Sequence, residues 1–159
     1  MKEDSTIIVP VHVDDLIPMG KPERAIDEWE NALAERFATK RLGNADWYSG
    51  VRIQRGNGYL HLSQQGYMEK LLDTWSMSDA KPKRQPLEPG VDLVSMSQNL
   101  KDPEYDSTRA DMSEVRSLIG GISWPAEMTR PDLSFTRAYG SRLQSDCSQS
   151  VFDALKNSL

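Results

Sequence analysis

The chain has 159 residues, 38% hydrophobic and 27% charged, with 10 glycines, 9 prolines and a single cysteine; this balance fits one ordinary globular domain and excludes collagen, coiled coil and intrinsic disorder. No apolar run approaches the roughly 18 residues that a membrane span needs, and Lys2, Glu3 and Asp4 followed by a short, broken apolar stretch exclude a secretory signal. The net charge of −5 argues against a strongly basic nucleic-acid binder, although residues 21–84 sum to +2 and 85–111 to −4, so the cations gather in the middle.

Residues 7–19 place β-branched and apolar side chains on both sides of Asp14-Asp15, which predicts a strand, a tight turn made by the two acids and a returning strand. Pro10 cannot donate to a ladder and belongs at an edge or a bulge. Gly20 breaks the strand, and Pro22 opens a helix in which Ile26, Trp29, Leu33 and Phe37 recur at steps of three and four, ending near Leu42-Gly43. Residues 47–55 and 59–62, separated by Gly56-Asn57-Gly58, read as a hairpin with Leu60 and Leu62 on one face.

Ser63 is placed to cap a second helix whose stripe is Tyr67, Met68, Leu71, Leu72 and Trp75. From Lys81 to Pro103, four prolines and few closely spaced apolar residues predict a long extended connection. Val115, Leu118, Ile119 and Ile122 form the stripe of a final helical region that Pro125 interrupts and residues 133–143 resume. The expected fold is α+β, with antiparallel hairpins carrying the acids and helices covering one face. Its parts are residues 1–80, the connection at 81–111 and the helices of 112–159.

Two adjacent carboxylates at a hairpin tip suit a hard divalent cation, because they supply oxygen ligands at a separation the backbone fixes. A pair of such ions about 3.5–4 Å apart activates an attacking hydroxyl and stabilises a leaving phosphate. An arbitrary Asp-Asp is more often a solvated turn. Here apolar strands flank the acids, and no Lys or Arg lies within five residues to neutralise them.

Among the cations, Arg52, Arg55 and Lys83 are candidate nucleic-acid contacts if the fold brings them together; scattered solvated charges are the blander alternative. His12 and His61 have no helical metal spacing. Trp29 and Trp75 fall in helical stripes and read as core, while Trp47 and Trp124 stay open between core and base stacking. Thr129-Arg130-Pro131-Asp132 reads as a helix start, with Thr129 as cap, in preference to a phosphate contact. Gly120-Gly121 suits close helix approach. Cys147 has no disulfide partner in the chain, so a reducing, intracellular and cytoplasmic setting is expected.

His12-Val13-Asp14-Asp15 between apolar strands resembles the Tyr-Val-Asp-Asp catalytic hairpin of reverse transcriptases, in particular those of copia-type LTR retrotransposons. The likeness continues through Phe37, Leu42-Gly43, Gly50-Val51-Arg52-Ile53, Leu62-Ser63-Gln64-Gln65-Gly66-Tyr67, Leu71-Leu72 and Pro86-Leu87. It ends with Arg116-Ser117-Leu118-Ile119-Gly120-Gly121 and Thr129-Arg130-Pro131-Asp132, which are similar to the family's Y-R-S-L-V-G and T-R-P-D blocks. Ordered blocks at similar spacings across nearly the whole chain are far more specific than the acid pair.

The resemblance implies a polymerase palm hairpin in 1–80, with a second hairpin near the primer, followed by thumb- or connection-like helices that lead toward an RNase H domain. It implies RNA-directed DNA synthesis on a template-primer, with Asp14 and Asp15 as catalytic ligands of magnesium. The family also uses a third aspartate and a fingers region from upstream, so a segment truncated at the N-terminus and inactive alone is expected. His12 stands where the family has tyrosine, and Pro125 stands in place of an apolar helix residue, which suggests a kink or a decayed copy. A non-catalytic remnant that keeps the fold and binds partners through apolar surface is the alternative.

Overall fold

The computed structural model describes residues 5–88, 90, 92, 93 and 108–159, so much of the expected connection at 81–111 lies outside the described residues. The chain divides into two compact units, Met1–Asp46 and Trp47–Leu159.

In the first unit, one antiparallel hairpin is built as two short ladders. Strand β1 (Thr6–Ile8) pairs with β4 (Met19–Lys21), and β2 (Val11–His12) pairs with β3 (Asp15–Leu16). Pro10 and Pro18 separate the ladders, since neither supplies an N–H, and Ile17 N–H to Pro10 O at 3.1 Å bridges the gap. Helix α1 (Glu23–Ala34) starts at Pro22 and packs on β4 and β1.

Helix α1 ends at Ala34 rather than near Leu42-Gly43. Phe37, the last step of its expected stripe, is 62% exposed, so another turn would order residues without burying them. Trp29 on this helix is half-buried.

The second unit opens with a three-stranded antiparallel meander, β5 (Trp47–Tyr48), β6 (Val51–Gly56) and β7 (Tyr59–Ser63). The expected hairpin is therefore two turns, and the additional one falls at Ser49-Gly50, both at positive φ. The turn at Asn57-Gly58 has Gly58 at φ 80°, a conformation that costs glycine little.

Helix α2 (Gln65–Thr74) comes next. Gln64 occupies its cap position, and Ser63 Oγ accepts from the Gln65 N–H at 3.3 Å from one residue further out. Helix α3 (Met112–Met128) is capped by Asp111, whose carboxylate accepts from the Ser113 N–H at 2.7 Å. A 3₁₀ turn (Pro131–Leu133), α4 (Ser134–Ser141) and α5 (Gln149–Lys156) complete the unit, with Ser148 capping α5.

The core gathers around α3. Val115, Leu118, Ile119 and Ile122 are buried there with Leu133, Leu143, Cys147, Val151, Phe152 and Leu155, as the periodicity predicts. Leu93, inside the stretch expected to be an extended connection, also belongs to this core. Trp75 of α2 meets Phe152 edge-on at 5.8 Å.

Helix α3 runs through Pro125 instead of stopping there. A proline leaves the carbonyl four residues earlier without its helical donor. That carbonyl belongs to Gly121, and the Tyr67 hydroxyl of α2 donates to it at 3.0 Å. Gly121 lets α2 come close, because a side chain there would run into Leu71, whereas Gly120 faces open space.

Thr129 ends α3 and does not cap the 3₁₀ turn; Arg130 holds that cap position. The helix start expected at Thr129 is thus displaced by one residue, because the Thr129 hydroxyl donates to Gln64 Oε1 at 2.8 Å and ties α3 to the start of α2.

Candidate functional site

The acid pair sits at the hairpin tip of the first unit. His12 lies directly opposite Asp15 in the ladder, so Val13 and Asp14 form the turn, and Asp15 begins the return strand. Val13 has φ 57°, a left-handed conformation in which a β-branched side chain crowds the backbone. Strain of this kind concentrates at functional sites. Sequence reading missed it, although a valine in a two-residue turn that favours Asn or Gly was the available signal.

Asp14 and Asp15 are both exposed, and among the described residues no hydrogen bond or ion pair engages either carboxylate. Among the described residues there is also no group of three or more His, Cys, Asp or Glu side chains suited to a metal ion. Two free carboxylates fit magnesium as part of its shell, since that ion commonly takes one or two carboxylates and fills its remaining positions with water and phosphate oxygens.

The meander of the second unit separates two of the expected cation contacts. Arg52 and Arg55 are three residues apart on one regular strand, so they point to opposite faces. Register places Trp47, Arg52 and Ser63 side by side on one face, followed by Gln54 with His61 and then Gly56 with Tyr59. The other face carries Tyr48, Val51, Ile53, Leu62, Arg55 and Leu60, with Val51 buried. Lys83 is exposed in the stretch after α2. Gln54 Oε1 lies 3.1 Å from His61 Nδ1. Trp47 is 63% exposed, whereas Trp124 is tilted against Tyr67 with ring centres 5.7 Å apart.

The Arg130 guanidinium is occupied within its own motif, with Nε and Nη2 donating to Asp132 at 2.8–3.1 Å. This contact holds the Asp132 carboxyl below its ordinary range. Among the described residues no helix is long and apolar enough to cross a membrane.

Residues 1–89 match the family model described as reverse transcriptase (RNA-dependent DNA polymerase). The chain belongs to the reverse transcriptase family. Over 158 residues it is 28% identical to the retrovirus-related Pol polyprotein from transposon TNT 1-94 of Nicotiana tabacum, covering 97% of this chain and 12% of that relative. The corresponding polyprotein from transposon RE1 of Arabidopsis thaliana is 30% identical over 132 residues, 82% of this chain and 8% of the relative. An uncharacterized mitochondrial protein of Arabidopsis thaliana is 27% identical over 149 residues, 94% of this chain and 58% of that protein.

The chain therefore spans only part of each of these relatives. Their transposon names bear out the resemblance to copia-type retrotransposon reverse transcriptases. The mixed helix and sheet architecture is compatible with such a domain. No solved structure matches the chain.

Proposed function

We propose that this reverse transcriptase family member is the segment of a retrotransposon Pol polyprotein that carries the metal-binding hairpin for RNA-directed DNA synthesis on a template-primer. The observation that supports this reading is the tip at residues 12–15, where two exposed carboxylates without a partner among the described residues adjoin a strained turn. Asp14 and Asp15 hold magnesium, and His12 flanks them across the ladder. Magnesium so held activates the attacking hydroxyl and stabilises the leaving phosphate of two-metal nucleotidyl transfer.

Residues 1–80 act as palm and primer-side hairpin, 81–111 as connection, and 112–159 as helices leading toward RNase H. Two carboxylates in place of the family's three weaken the grip on the ion, so the isolated chain is expected not to extend a primer. It works in the cytoplasm, where Cys147 stays a thiol. The test is DNA synthesis on an RNA template by the parent polyprotein: Asp14→Asn abolishes incorporation with the protein still folded, and undiminished synthesis overturns the reading.

A second reading, a non-catalytic module that keeps the fold, is favoured by the apolar side chains left exposed on the first unit: Ile8, Val11, Val13, Leu16 and Met19. Polymerase activity lost on Asp14→Asn excludes it.

A further inference from the structure

The polar face of the β5-β6-β7 meander has an unusual composition for a sheet surface. Its two large aromatics, Trp47 and Tyr59, are 63% and 64% exposed, although rings of this size usually find burial. Tyr59 is also held flat. A side chain on Gly56 would collide with its ring, so the ring lies across the glycine backbone with one face covered and the other open.

Trp47 stands beside Arg52 and Tyr59 beside Gly56, four residues further along β6. At about 3.4 Å per residue the two rings are roughly 13–14 Å apart along the strand. That distance matches about four stacked base steps. Arg52, Gln54 and His61 occupy the interval.

Charge favours an anion. From Trp47 to Met68 the sequence contains no Asp or Glu, although the whole chain carries 24 acids and a net charge of −5. The Arg52 guanidinium has no partner among the described residues. Beside Trp47 and Arg52 lies a shallow, half-open cavity of about 210 Å³, also lined by Ser63, Gln65, Gly66 and Glu69. Its carboxylate, Glu69, is engaged by Gln65 Nε2 at 2.8 Å. The volume is below the roughly 300–1,000 Å³ of a small-molecule site, which suits one base of a longer strand better than a free nucleotide.

We propose that this face binds unpaired, single-stranded nucleic acid, with bases stacked on Trp47 and Tyr59 and a phosphate neutralised by Arg52. The inference rests on the reverse transcriptase reading and adds to it a preference for unpaired over paired strands. Stacking recognises the flat face of any base, which a duplex keeps hidden, so both rings would be idle against a double helix.

The test is fluorescence anisotropy of the full chain with labelled oligo(dT), alone and paired with oligo(rA). The expected result is tighter binding of the single strand, weakened about tenfold or more by Trp47→Ala and by Tyr59→Ala. Trp47→Phe and Tyr59→Phe retain binding, which separates lost stacking from lost folding. Arg52→Gln lowers the slope of log affinity against log salt by about one. Binding that favours the hybrid and ignores Trp47 and Tyr59 overturns the stacking inference and leaves the polymerase reading standing. Absence of affinity for either form contradicts both.

Discussion

The Tyr67 hydroxyl donates to the carbonyl of Gly121, the group that Pro125 deprives of its helical donor. A tertiary contact between α2 and α3 thus replaces a missing backbone bond and lets the helix continue through the proline. Tyr67→Phe leaves a part-buried carbonyl unsatisfied and is expected to cost about 1–3 kcal/mol. In a Pro125→Ala background the restored N–H serves Gly121, so the cost of Tyr67→Phe falls by about 1 kcal/mol or more. Urea denaturation of the four proteins measures the coupling, and strict additivity contradicts it.

The neighbouring glycines respond oppositely to alanine. Gly120 faces open space within a helix, so Gly120→Ala stabilises by about 1 kcal/mol. Gly121→Ala drives a methyl group into Leu71 and destabilises by about 1–3 kcal/mol. Thermal melts of the two variants should shift in opposite directions, and equal shifts would contradict the close approach of α2 to α3.

Asp132 gives the acid side of the stability curve a definite sign. The hydrogen bonds from Arg130, and then its charge, hold the carboxyl below its ordinary value, so the folded state favours the ionised form. The contribution is present above the unfolded value and is lost as pH falls through the folded one. Both side chains are more than a third exposed, which limits the pair to about 0.2–1 kcal/mol. Asp132→Asn should therefore destabilise slightly at pH 7 and leave stability unchanged near pH 2, as read by urea denaturation at both.

Cys147 is fully buried, and burial, followed by the charge of Asp146, pushes its thiol up to about 11. At pH 8 the native thiol is protonated and shielded, so it reacts with an aromatic disulfide reagent only when the structure opens. The expected rate is orders of magnitude below that of the urea-unfolded chain. Equal rates would remove Cys147 from the core.

The hairpin at Asp14-Asp15 was legible because apolar and β-branched residues flank it, and the α3 stripe because its residues share one helical period. What escaped the sequence was non-local. The path of α3 through Pro125 depends on a hydroxyl 54 positions away, and the role of Thr129 depends on Gln64, 65 positions away. Helix α1 was read too long because Phe37 fits its period but finds nothing to bury it. The opposite directions of Arg52 and Arg55 were available in principle, since an odd spacing on a strand always divides a pair between faces.

The central claim is that Asp14 and Asp15 together bind the catalytic ion. Titration of isotope-labelled chain with Mn²⁺, a paramagnetic stand-in for Mg²⁺, tests it most directly through line broadening of assigned amide signals. The account predicts broadening centred on residues 12–16, competed away by excess Mg²⁺ and abolished by Asp14→Asn with Asp15→Asn. Broadening centred elsewhere, or unchanged in the double variant, would contradict it.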